Sequence, residues 1–327
     1  MSRHPYVERT SPVRKLLVIA TAALFAAGVA ACGSSSKPTA SSDTTTTAAG
    51  AVTTTTTVSS TPTTLPKIDC NGTSAYVTDI GSASDFKPVT PDTLTVVTSL
   101  PGPGFFEGSD SDPTKLTSGY EYDLAKKLQE AFGLSKLVIR NESFDSIVAG
   151  TVTNYDVAFS QISITCDRAK VAKFSFPYFQ SNQGILVNKG DTMATLADVK
   201  KAQWGVQTGT TASDLLDKIG TDKQPKVFES LTDAYTALQA KQIDAVLIDT
   251  AINLGEAARH PDQFEVVGQF DQEGGPDQYG ALFPKDSTNA PAVNAVIKQL
   301  ADSGALSQLA KTDLTADPGT IPVIQVP

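Results

Sequence analysis

The chain has 327 residues, with 26 Lys and Arg against 35 Asp and Glu, a formal net charge of −9, and only two His and three Cys. Such an acidic chain suits neither nucleic acid nor an anionic membrane surface, and so few histidines leave little for Ser-His or Cys-His nucleophilic chemistry. The length accommodates one large or two modest domains with real cores.

In chain order, Arg3, Arg9, Arg14 and Lys15 precede an uncharged apolar run from Leu16 to Ala31. A basic head before an apolar segment short for a spanning helix is the layout of a secretory signal. The run ends Val29-Ala30-Ala31-Cys32 and continues into Gly33 and serines, which resembles the bacterial lipobox. Residues 1–31 are therefore expected to be a signal peptide, with Cys32 acylated and the protein held on the extracytoplasmic face of the cell membrane. From Gly33 to Thr64, 20 of 32 residues are Ser or Thr. That composition cannot bury enough apolar surface to offset the entropy of ordering, so 32–66 reads as a disordered tether. Its mean reach would be roughly 30 Å. Without the signal the chain keeps 22 basic and 34 acidic residues.

Cys70 and Cys166 remain after Cys32. Outside the cytoplasm such a pair is expected to form a disulfide, here closing a loop of about 95 residues. Leu94–Ser99 reads as a short strand, broken by Pro101-Gly102-Pro103-Gly104. Phe105 and Phe106 then either plug the core or face a cleft. Leu124, Leu128 and Phe132 recur every four residues and predict an amphipathic helix stopped by Gly133. A strand at Leu137–Arg140 and a short helix from Phe144 follow. The run Tyr155–Arg168, Y-D-V-A-F-S-Q-I-S-I-T-C-D-R, reads as a buried strand that surfaces into hydroxyl and amide side chains and ends in a lone arginine. A guanidinium beside hydroxyls and strand-end amides makes an anion socket. No nucleophile elbow, Walker loop, dinucleotide glycine loop or Cys/His metal spacing is present in the sequence, so neither metal nor cofactor is expected.

The segments Phe144–Ser160 and Leu231–Asp249 are loosely alike, each with a short helix before an aspartate and an apolar strand. They suggest two α/β lobes built on similar lines. The stretch G-Y-E-Y-D-L-A-K-K-L resembles the signature of the family 3 bacterial extracellular solute-binding proteins, the polar amino-acid receptors of ABC importers, departing from it at Gln129 and Phe132. The resemblance continues through I-S-I-T-C-D-R-A-K-V-A-K-F-S-F-P-Y-F, V-Q-T-G-T-T, I-D-A-V-L-I-D-T and a closing helix, covering roughly residues 92–312 in order.

This resemblance implies an α/β two-lobe fold of the periplasmic-binding-protein type II kind, with a hinge of two crossover segments. Residues 67–187 and 281–327 would form lobe 1, and 188–280 lobe 2. It implies that Arg168 grips the α-carboxylate of an amino acid, with Ser163 and the backbone around Gln161 adding hydrogen bonds. From the second lobe, Thr210 and Thr211 would cap a helix and offer its N-terminal amides. Asp249 would pair with the α-ammonium, unless its oxygens cap the helix after it. Positions contacting the side chain would be Ser99, Gln207 and Ile248, which favours a polar or acidic ligand over a basic one, with Phe105 or Phe106 as an aromatic wall. The expected partners are a free amino acid and the permease subunits of an importer, for a protein acting as a monomer and not as an enzyme. A sensor for a membrane signalling partner and a dehydratase-like enzyme on the same scaffold are the alternatives.

Overall fold

The computed structural model describes residues 66–272, 274–314 and 318–326. The expected signal peptide, the acylated Cys32 and the tether up to residue 65 lie outside the described residues. A small hairpin, β1 (Asp69–Cys70) and β2 (Thr73–Ser74), opens the folded part. The first lobe then builds β3 (Thr93–Thr98), α1 (Tyr120–Ala131), β4 (Lys136–Asn141), α2 (Phe144–Val148), β5 (Val157–Ala158), α3 (Cys166–Val171) and β6 (Ala172–Ser181). The β-branched run of β3 is buried along its whole length and pairs in parallel with β4 and β5. In α1, Leu124 and Leu128 are buried as their spacing requires. Phe132, just past the helix end, stacks on Phe86 with ring centroids 4.0 Å apart. Gly133 follows at φ 66°, a conformation that costs glycine little and stops the helix.

At Asn182 the chain crosses to the second lobe. There it forms β7 (Gln183–Asn188), α4 (Leu196–Lys201), β8 (Trp204–Gln207), α5 (Thr211–Ile219), β9 (Lys226–Phe228), α6 (Leu231–Gln239), β10 (Ala245–Asp249), α7 (Thr250–Arg259) and β11 (Phe264–Asp271). It returns to β12 (Asp277–Pro284), α8 (Ala290–Asp302) and α9 (Ala305–Asp313), with β13 (Val323–Gln325) after them. The sheets are ordered β4-β3-β5-β12-β6 and β13-β11-β7-β10-β8-β9.

Neither sheet is purely parallel, because the two strands flanking each crossover run against their neighbours. β12 is antiparallel to β5 and β6, and β7 is antiparallel to β10 and β11. This corrects the expected lobe limits. The first crossover falls at Asn182 rather than after Val187, since β7 lies at the centre of the second sheet and buries Ile185 and Val187 there. The second crossover falls before Asp277 rather than at Gly280. Residues 323–325 return to the second lobe, where β13 pairs with β11 and Ile324 joins its core. An apolar strand reads the same whichever sheet receives it, so its sequence could not say which.

Cys70 and Cys166 are joined by a disulfide, with Cα atoms 5.5 Å apart and a sequence separation of 96. The bond ties β1 to the start of α3, the helix that carries Arg168. In the chain-entropy description a loop of that length contributes up to about 4 to 5 kcal/mol. Cys166→Ser is expected to lower the unfolding free energy by an amount approaching that figure, with m equal or larger because the unlinked unfolded chain is more expanded, measured by urea unfolding under non-reducing conditions.

Candidate functional site

The strand β5 ends at Ala158, and the chain from Phe159 onward leaves the sheet edge. Gln161 sits in the left-handed region at φ 51°, uncommon for a non-glycine residue. The cause lies beneath it. The buried carboxylate of Glu121 accepts from the Gln161 backbone N–H at 2.9 Å, from its side-chain amide at 2.5 Å and from the Tyr178 hydroxyl. Burial pushes the Glu121 carboxyl up to about 7, while these three donors pull it back down. Thr165 then caps α3 by accepting from the Arg168 N–H at 3.2 Å, which sets Arg168 on the first turn, pointing at the cleft.

Arg168 is only 8% exposed. Its Nη1 donates to the Ser163 carbonyl at 2.7 Å, and its Nη2 reaches across the cleft to the Gly209 carbonyl of the second lobe at 2.9 Å. Its guanidinium lies 5.4 Å from the Phe144 ring centroid, within cation–π range. Burial pushes its pKa down, and the carboxylates of Asp277, then Asp249, then Asp214 oppose that. From the other lobe Asp249 ends β10. It is 4% exposed; its carboxylate and the buried Tyr279 hydroxyl lie close enough to act on each other, but Asp249 Oδ1 and that hydroxyl make no hydrogen bond of ordinary geometry among the described residues. Burial, and next the charge of Asp277, raises the Asp249 carboxyl well above its ordinary range, with Tyr279 and Arg168 acting against that. No side-chain cap is made at Asp249, so its oxygens are not spent on α7.

One cavity between the lobes is lined by eight of the ten expected ligand-binding residues: Ser99, Gln161, Ser163 and Arg168 from the first lobe, Gln207, Thr210, Thr211 and Asp249 from the second. Phe105 and Phe106 are not among its lining. Both are fully buried, and Phe105 packs against Tyr120, Phe179 and Tyr279 in the core of the first lobe. The aromatic wall is Phe144 instead, at the start of α2 behind the Ser143 cap. Two further expectations are corrected. The Gln161 N–H is committed to Glu121 and so is not a free donor. Thr210 makes no side-chain cap to α5, because its hydroxyl donates to the Gln207 carbonyl at 2.7 Å.

Sequence reasoning passed over Asp277, at the end of the return crossover. Its Oδ2 accepts from the Thr211 hydroxyl and from the Gln183 amide, each at 2.8 Å. Nothing local marks an aspartate at a strand start as a hinge residue. Glu121 was within the quoted signature, yet only the fold brings it under Gln161. On the far side of the cleft Arg259 of α7 closes against the first lobe, with Nη2 to Glu107 at 2.7 Å and Nη1 to Asp110 at 2.8 Å. Gly255 of α7 also touches that lobe, and a Cβ there would meet the Pro103 carbonyl carbon at 2.7 Å. With the lobes so closed, the cavity is small, about 20 Å³, room for roughly one water.

Two lobes, two crossovers and a polar cavity with opposite charges on its two walls define a binding protein of the type II, hinge-closing kind. The chain belongs to family 3 of the bacterial extracellular solute-binding proteins, whose model matches residues 106–313. It is similar to the ABC transporter arginine-binding protein 1 of Escherichia coli (strain K12), 32% identical over 139 residues, which span 41% of this chain and 55% of that protein. It is also similar to the ABC transporter glutamine-binding protein GlnH of Bacillus subtilis (strain 168), 28% identical over 67% of this chain and 76% of that one. Among solved structures, an ancestral arginine-binding protein bound to glutamine aligns with a TM-score of 0.60 at 28% identity, covering 68% of this chain and 98% of its own. The protein is thus an amino-acid-binding component of the ABC-transporter kind and not an enzyme.

The buried Glu121 makes the floor of this site sensitive to pH. A carboxyl whose pKa is raised from 4.5 to about 7 on folding stabilises the folded state below 4.5, and that contribution is lost as pH rises towards 7. Glu121→Gln carries no charge to desolvate. Relative to the unmodified protein it is expected to gain up to about 3 kcal/mol between pH 4.5 and 7, read by urea unfolding across that range. Parallel pH profiles for the two proteins would contradict this.

Proposed function

We propose that this chain captures an L-amino acid between its lobes and delivers it to an ABC permease from the outer face of the cell membrane. The observation that carries the reading is the pairing of Arg168 and Asp249 on opposite walls of one cavity, with an Asp249 oxygen left without a partner. An α-carboxylate matches the fork of Arg168, and an α-ammonium supplies the cation that Asp249 lacks. A ligand holding both ends joins the lobes, so closure with ligand is favoured by its differential contacts in the closed state. In that state the carboxylate takes over Arg168 donors now given to the Gly209 carbonyl.

Three carboxylates, Asp277, Asp249 and Asp214, act on Arg168, and this opposes an acidic ligand side chain. Phe144 and Ile248 supply apolar walls and Ser99 and Gln207 polar ones. The Val29–Cys32 run supports acylation at Cys32, with residues 32–66 as the tether to a monomeric binding domain.

Isothermal titration of the amino acids into the mature protein tests the site. Arg168→Ala is expected to weaken the best ligand at least tenfold, since a charge-assisted hydrogen bond contributes about 1.5 to 3 kcal/mol. Binding unchanged by that substitution would sink the assignment. For the anchor, Cys32→Ala should move the protein from the membrane fraction of a lipoprotein-processing host to the soluble fraction.

A further inference from the structure

A second and larger cavity of about 240 Å³ adjoins the first, and the two share Pro101 as a wall. It too lies between the lobes, with Pro101 and Asp110 on one side and residues of α6 and α7 on the other. The helices line both cavities with successive turns. On α6, Leu231 faces the first cavity and Tyr235 the second; on α7, Ile252 faces the first and Glu256 the second. Ile252 and Glu256 are four apart and so neighbours along one face of α7, and Asp249, at the end of β10, lies just before the helix. At 1.5 Å per residue, Asp249 and Glu256 are about 10 Å apart along the helix.

Glu256 is only 6% exposed; His260 Nε2 lies 3.6 Å from its carboxylate, Arg259 acts on it from further away, and the charges of Asp110 and Glu107 oppose it. Tyr235 is 5% exposed, and its hydroxyl is buried without a hydrogen-bond partner among those residues. Asp110 and Glu107 share the one guanidinium of Arg259. Three carboxylates, Glu107, Asp110 and Glu256, thus share one guanidinium and His260, and Glu256 is the most buried of the three, where an incompletely compensated charge is costly.

We infer that Glu256 and the Tyr235 hydroxyl form a subsite for a protonated amine or guanidinium at the far end of the ligand's own side chain. The inference rests on Arg168 and Asp249 holding the ligand's α-groups. From the end of β10 along α7 the three then read as a template: Asp249 for the α-ammonium, Ile252 against the methylenes, Glu256 for the distal cation. Ser99 and Gln207, where a countercharge for a basic ligand was sought in the sequence, are uncharged, and in this arrangement the countercharge is Glu256, about two helical turns beyond Asp249. The occupant is a long basic amino acid.

The test pairs L-arginine with L-citrulline, which replaces the guanidinium by a neutral urea of nearly the same shape, in titration calorimetry at pH 8. The unmodified protein is expected to favour arginine at least tenfold, and Glu256→Gln to reduce that ratio at least tenfold. Equal affinity of the unmodified protein for the two ligands overturns the subsite without need of any variant. A preference that survives Glu256→Gln overturns it as well. If glutamine binds and depends on Arg168 while arginine and citrulline are not distinguished, the amino-acid site stands and only the subsite falls. If no amino acid binds, the underlying reading falls with it.

Discussion

A buried guanidinium that spans a cleft organises this molecule. Arg168 is held from below by the Thr165 cap and by the Ser163 carbonyl, and from across the cleft by the Gly209 carbonyl. Taking a charge out of water is costly unless hydrogen bonds and opposite charge compensate. Here the compensation comes from both lobes at once, with carbonyls at contact distance and the Asp277 and Asp249 carboxylates nearby. The closed arrangement is therefore coupled to the charge state of the site.

The hinge is built into the same network. Asn182, the single residue between β6 and β7, accepts from the Thr250 N–H at 2.7 Å, directly after Asp249 in the chain. Gly184 admits Thr250 so closely that a Cβ would lie 2.7 Å from the Thr250 Cα. At the other crossover Asp277 holds Thr211 of the cavity wall and Gln183 of β7. Residues at the two crossovers are thus bonded to residues that line the cavity between the lobes or neighbour its lining in the chain. Opposite the hinge, the Arg259 contacts to Glu107 and Asp110 add an ionic closure of their own. Being partly exposed, those contacts are screened by salt more than the Arg168 network is.

Much of this was legible in the chain. The four-residue recurrence of Leu124, Leu128 and Phe132 marked α1, and the hydroxyl-rich run ending at Arg168 marked an anion socket. Eight predicted residues meet in one cavity because strand ends and helix starts, where they were placed, are where α/β lobes face each other. The misplaced ones share a cause. Phe105 and Phe106 sit in a Pro- and Gly-rich loop whose path has no periodicity, and that path folds back under α1 and buries both rings. Phe144, a helix residue on a regular element, took the wall position instead.

What the sequence determined by itself was local and additive: the caps, the helix faces, the apolar strands, the opposite charges at the ends of two of them, and a family signature carried by short runs in order. Only the tertiary structure decided what depends on pairing distant segments. That includes the sheet that receives β7 and β13, the burial of Glu121 under Gln161, and the reach of Asp277 to Thr211. It also includes the succession of Asp249, Ile252 and Glu256 across two cavities, whose spacing is present in the sequence while the walls that make it a path are not. Arg168 was visible as a lone arginine from the start; the fold supplied the lobe on the other side of it.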